Sequence, residues 1–127
     1  MHTYPTGSYR LSAMRATPYP NRLLDLSVTL PETQLRVLNL IVRLTLGWHA
    51  GSAGLRKATT ELTLWQLKKR AGRSSVIPVA EAIAALAQAG VITVCEGDGG
   101  PVDVRDLTRY RRRPILLGIA RTWVEEA

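Results

Sequence analysis

Cysteine is almost missing from this chain. Of its 127 residues one, Cys95, carries a thiol, which excludes an intrachain disulfide framework and leaves the fold to rest on an apolar core. Histidine is nearly as scarce, and His2 and His49 stand too far from Cys95 in sequence to suggest a zinc site. No apolar run approaches the roughly 20 residues that span a bilayer, since the best stretch, 37–46, is interrupted by Asn39, Arg43 and Thr45. Residues 1–20 are rich in Tyr, Pro, Ser and Thr and lack the apolar segment of a secretory signal. These absences lead us to expect a cytoplasmic protein without a membrane partner. The marks of catalysis are missing too. There is no glycine-rich phosphate loop followed by Lys and Ser or Thr, no metal-ligand spacing, and no nucleophile near a recognisable base, so the expectation is a protein that is not an enzyme and holds no cofactor or metal.

What is present is an ordinary core-forming composition, 46% hydrophobic and 21% charged, over a length of about one domain. Seventeen Lys and Arg stand against ten Asp and Glu, a net charge of +7 that points to a polyanionic partner, nucleic acid first. The cations are grouped. Lys68, Lys69, Arg70 and Arg73 form one cluster and Arg109, Arg111, Arg112 and Arg113 a second, with Glu96, Asp98, Asp103 and Asp106 between them. Either cluster taken alone also reads as a solvated face or, for the second, as protection of an edge strand.

Local signals predict the elements. Pro31 and Glu32 suit a first helical turn, and Leu35, Leu38 and Val42, flanked by Ile41 and Leu46, recur at helical spacing, so a helix is expected over 32–46 with Gly47 as its stop. A polar, glycine-containing loop follows, and Glu61, Leu62 and Thr63 either pair as a strand or lead into the next helix. Thr63 reads as the cap of a helix over 64–70, closed by Gly72. Ser74 or Ser75 caps another over 76–89, where Pro78 is tolerated in the first turn and Gly90 is the stop. The β-branched run 91–95, the turn Gly97 to Gly100 and residues 102–104 predict a hairpin. The apolar segment 114–127 is either a closing strand or helix of the core, or a dimerisation surface. Trp48 and Trp65 are expected to pack in the core or at its rim.

Two helices joined by a short turn containing glycine, followed at once by a hairpin, predict a mainly α fold with a small β-hairpin, a winged helix-turn-helix. The expected organisation is an N-terminal arm over 1–17, the winged domain over 18–113, and the apolar C-terminal segment. The stretch Asn21-Arg22-Leu23-Leu24-Asp25-Leu26, the Leu46-Gly47-Trp48 helix end, Thr63-Leu64-Trp65-Gln66-Leu67, Ala71-Gly72 and Ala89-Gly90-Val91-Ile92 together resemble the N-terminal origin-binding domain of lambda-type phage replication protein O. That resemblance covers roughly residues 18–95 and implies a winged helix that binds repeated sites at a replication origin as a dimer.

The expected DNA-binding residues are Lys68, Lys69, Arg70, Arg73, Ser74, Ser75, Glu81, Arg111, Arg112 and Arg113, with double-stranded DNA as the partner. A homodimer and a replication or transcription protein are further expected partners. The outward face of the second helix is predicted to carry Pro78, Glu81, Ala82 and Ala85, which lack the Arg, Asn or Gln that read guanine or adenine bidentately, so affinity is expected from the basic clusters and the arm. The alternatives are a transcriptional or partition regulator of a mobile element and a winged helix that docks proteins through its alanine-rich helix.

Overall fold

The computed structural model describes residues 6–10, 15–51 and 54–125. Most of the N-terminal arm's residues 1–5 and 11–14, with His2, lie outside the described set, as do residues 126 and 127 of the C-terminal segment.

Four α-helices form among the described residues: α1 (Asn21–Ser27), α2 (Glu32–Thr45), α3 (Leu64–Arg70) and α4 (Val76–Gln88). In α2 the residues Val37, Leu38, Ile41, Val42 and Thr45 are buried, a broad stripe because the helix packs on both α4 and the sheet. Helices α3 and α4 end alike. Gly72 and Gly90 adopt φ of 70° and 74°, and the amides of Arg73 and Val91 reach back to the carbonyls of Lys68 and Leu86 at 3.0 Å. This closing loop requires the left-handed conformation that glycine adopts at least cost.

Three strands, β1 (Thr59–Leu62), β2 (Ile92–Glu96) and β3 (Ile115–Ile119), make one antiparallel sheet in the order β1-β3-β2. The segment around Glu61 therefore pairs as a strand. Strand β3 is central: Thr60 pairs with Leu117 on one side and Val94 pairs with Leu117 on the other. Its Ile115 and Leu117 are fully buried and Ile119 nearly so, which places the apolar part of the C-terminal segment inside the core. The short 3₁₀ turn Arg121–Trp123 that follows is held to α1 by Arg22, which lies 4.8 Å above the Trp123 ring and donates to the Thr122 carbonyl at 2.9 Å.

The chain is thus mixed α/β, with more sheet than a mainly α fold with one hairpin. The expected turn exists, since the Glu96 and Gly99 amides bond to the carbonyls of Gly100 and Glu96, each at 2.8 Å. Its expected second strand at 102–104 does not form. Beyond one isolated bridge between Cys95 and Pro101, the chain turns into a 3₁₀ segment, Val104–Tyr110, whose first amides are capped by Asp103. The reason lies in burial. Strand β3 offers β2 an inward row of Ile115, Leu117 and Ile119, whereas 102–104 offers two valines around a carboxylate that bonds locally to Arg105. The 3₁₀ segment instead packs against α4, with Leu107 and Tyr110 buried. From α2 onward the order helix, strand, helix, helix, strand, strand, with the last strand in the middle of the sheet, is compatible with a winged-helix architecture.

Candidate nucleic-acid interface

Thr63 and Gln66 start helix α3 by a reciprocal cap: the Gln66 amide donates to Thr63 Oγ1 at 3.2 Å and the Thr63 amide to Gln66 Oε1 at 2.9 Å. Such a cap contributes about 1 kcal/mol to helix stability. The cap sets the rotation of the helix. With Leu64 and Leu67 turned fully inward, Trp65, Lys69 and Arg70 are exposed and Lys68 is half-buried. Trp65 lies one helical turn below both lysines, whose ammonium groups sit 3.8 Å (Lys68) and 5.4 Å (Lys69) from its ring centroid.

One further contact joins the two basic clusters. The Trp65 amide, one of the first-turn N–H groups with no partner inside its helix, donates to the Arg111 carbonyl at 3.2 Å. The chain at Arg111 therefore meets the start of α3, so the exposed Arg111 and Arg112 follow from a backbone bonded to the helix that carries Lys68, Lys69 and Arg70. None of these five cations forms an ion pair among the described residues.

Other cations are engaged. Arg73 lies 3.7 Å from Glu32, with its side chain mostly covered and its Nε buried without a partner among the described residues. Arg36 bonds Glu32 at 2.7 Å and donates to the Ala71 carbonyl at 2.7 Å, so it braces the end of α3 on α2. Arg113 lies 4.0 Å from Glu96 and 5.4 Å from the Tyr110 ring centroid, and Tyr110 donates its hydroxyl proton to Glu96 at 2.6 Å. That hydrogen bond, with burial behind it, holds the Tyr110 hydroxyl above the ordinary phenol range. Arg105 and Arg109 stand beside Asp103 and Asp106. The Asp103 carboxyl is held below the usual range, first by the Arg105 amide that it accepts. The turn at Asp98 with Asp103 and Asp106 leaves the far end of the 97–114 connection acidic and its base basic.

The serines divide. Ser75 caps α4 by accepting the Ile77 amide at 3.2 Å, which commits its oxygen to the helix, while Ser74 is exposed. The outward face of α4 differs from the sequence expectation at one position: Ala82 is buried at 3% exposure. The stripe that faces outward runs through Ile77, Glu81 and Gln88, with Pro78, Ala84 and Ala85 half-covered beside it. Ala82 turns inward because α4 is pressed on by α2, α3 and the 3₁₀ segment, which widens its buried arc beyond what spacing alone suggests. Gln88, which sequence reasoning passed over, is the one exposed side chain on that face with the amide geometry that pairs adenine. Trp48 and Trp65 are 55% and 38% exposed, a rim position at most.

Among the described residues no group of His, Cys, Asp and Glu is placed to hold a metal ion, and no helix is long and apolar enough to cross a membrane. Comparisons with models of protein families, with curated proteins and with solved structures return no match for this chain.

Proposed function

We propose that this is a winged helix-turn-helix domain that binds double-stranded DNA chiefly through the phosphate backbone. The observation that carries the reading is the Trp65 to Arg111 bond: it ties together the backbones of two cation-bearing segments far apart in sequence. Lys68, Lys69, Arg70, Arg111 and Arg112 are the phosphate contacts. Ser74 stands at the start of α4, and Glu81 and Gln88 are the polar groups on its outer face, able to accept from cytosine and to pair adenine. Arg73 and Arg113 support the surface through Glu32 and Glu96, and Ser75 supports it through its cap. Each phosphate contact releases counterions, so affinity falls steeply with salt and depends weakly on sequence.

Within that class, the particular role proposed is origin binding for the replication of a phage or other mobile element. Its support is the resemblance of residues 18–95 to the lambda-type replication protein, and pairing of two copies on repeated sites belongs to that role. A transcriptional or partition regulator uses the same surface. A second reading, docking of a protein on α4, is favoured by one feature, the 52% exposure of Ile77 on a face that carries no cation among the described residues.

The test is a variant in which Lys68, Lys69, Arg111 and Arg112 are all replaced by alanine. Binding to every duplex should weaken, and the slope of log affinity against log salt should flatten by about 0.9 for each phosphate that the protein no longer neutralises. Parental affinity in this variant overturns the proposal.

A further inference from the structure

In the loop between α2 and β1, residues 48–50 pair with residues 55–57 as a two-stranded ribbon. The Lys57 amide donates to the Trp48 carbonyl at 3.0 Å and the Ala50 amide to the Leu55 carbonyl at 3.1 Å, with His49 and Arg56 bridged between them. The Trp48 amide, bonded to the Thr45 carbonyl at 3.1 Å, roots the ribbon on the last turn of α2, and its other strand runs on into β1. Alternation in a ribbon puts Trp48, Ala50, Leu55 and Lys57 on one face and His49 and Arg56 on the other. Trp48 is 55% and Leu55 56% exposed, so this face offers water two large apolar side chains with a lysine opposite the indole. From Gly47 to Thr60 the sequence has no acidic residue, and among the described residues neither Arg56 nor Lys57 forms an ion pair. The next acid, Glu61, is directed at Gly97, toward the opposite end of the sheet.

We infer that this ribbon is a separate contact for an unpaired nucleic-acid strand: a base stacks on the exposed face of Trp48, Lys57 on the same face neutralises the phosphate beside it, and Arg56 on the opposite face adds to the positive field that draws the strand in. An aromatic platform flanked by cations is the arrangement that holds single strands with little regard to sequence. A duplex has no free base face to offer it. The ribbon sits at the start of β1 and α3 follows its end, a separation of about 13 Å at about 3.3 Å per strand residue, so the contact does not rest on the α3 surface.

The experiment measures binding of a labelled thymidine decamer, a uridine decamer and a DNA duplex to the intact chain by fluorescence anisotropy. Trp48→Ala, and separately Arg56→Ala with Lys57→Ala, should weaken decamer binding by about tenfold and leave duplex affinity within about twofold. Trp48→Phe, which keeps an aromatic ring, should retain the decamer. The two decamers tell a DNA strand from an RNA strand, either of which supports the inference. A parent that binds neither decamer overturns it, as do variants that bind them like the parent or lose duplex and decamer alike. Where a melting scan shows that Trp48→Ala does not fold, the parent decides: the Trp48 indole N–H resonance, assigned by its absence in Trp48→Phe, should move on addition of the decamer, and a stationary resonance overturns the inference.

Discussion

Single side chains determine which cations remain free to meet a ligand. Glu32 and Glu96 engage Arg73 and Arg113, whereas Lys68, Lys69, Arg111 and Arg112 have no acid paired with them among the described residues. Tyr110 ties this distribution to the fold, being buried at 3% exposure and bonded to Glu96. Because its hydroxyl titrates higher in the folded state than in the unfolded chain, the protonated phenol favours folding. That contribution is complete below the unfolded value and is lost as pH rises through the folded one. Urea midpoints followed through the alkaline range should fall in the parent and should lose this component in Tyr110→Phe; parallel curves for the two proteins count against the role given to the bond. Asp103 has the opposite sign. Its carboxylate stabilises the fold above the unfolded value, and that stabilisation fades as pH falls through the lower folded value.

Helix α4 shows how an element's surroundings decide its usable face. It is pressed on by α2, α3 and the 3₁₀ segment, and what remains outward is Ile77, Glu81 and Gln88. Replacement of Ile77 by Arg removes little packing, because half of the side chain is already in water, and should change stability by no more than about 0.5 kcal/mol. If α4 faces a groove, the new cation should tighten duplex binding and steepen its salt dependence. If α4 docks a protein, duplex affinity should not move, so one substitution read by stability and by salt titration separates the two readings of this helix. The basic surface is likewise a property of paired elements. Helix α3 supplies three cations and the base of the 97–114 connection supplies two, and a backbone hydrogen bond ties the two segments together.

For the whole molecule the decisive strand is β3, which pairs on both edges and sends Ile115 and Leu117 fully into the core. A chain that stops at Arg113 should show no cooperative melt and no dispersed amide spectrum, since β1 and β2 would have no partner between them; a folded, cooperative truncation contradicts this assignment. Helices α2, α3 and α4 are legible in the sequence because their bonds run between near neighbours and their ends carry local signals: the Thr63 and Ser75 caps, Pro31 before α2, and Gly72 and Gly90 in the closing loops. Helix α1 was not expected, and it has neither a side-chain cap nor an acid in its first turn. The inward row of α3 and the overall basic character follow from the same local signals. Strand pairing is not legible there, because 102–104 and 115–119 both present apolar residues to β2, and only the burial of Ile115, Leu117 and Ile119 against helices distant in sequence selects between them. Residue type and spacing by themselves determined where α2, α3 and α4 lie, that α3 turns Leu64 and Leu67 inward, and that the chain is cationic. Tertiary structure decided which strand is central, which arginines are engaged by acids, that Arg111 meets Trp65, and that residues 48–50 pair with residues 55–57, because each of these depends on contacts between segments that local physics leaves independent.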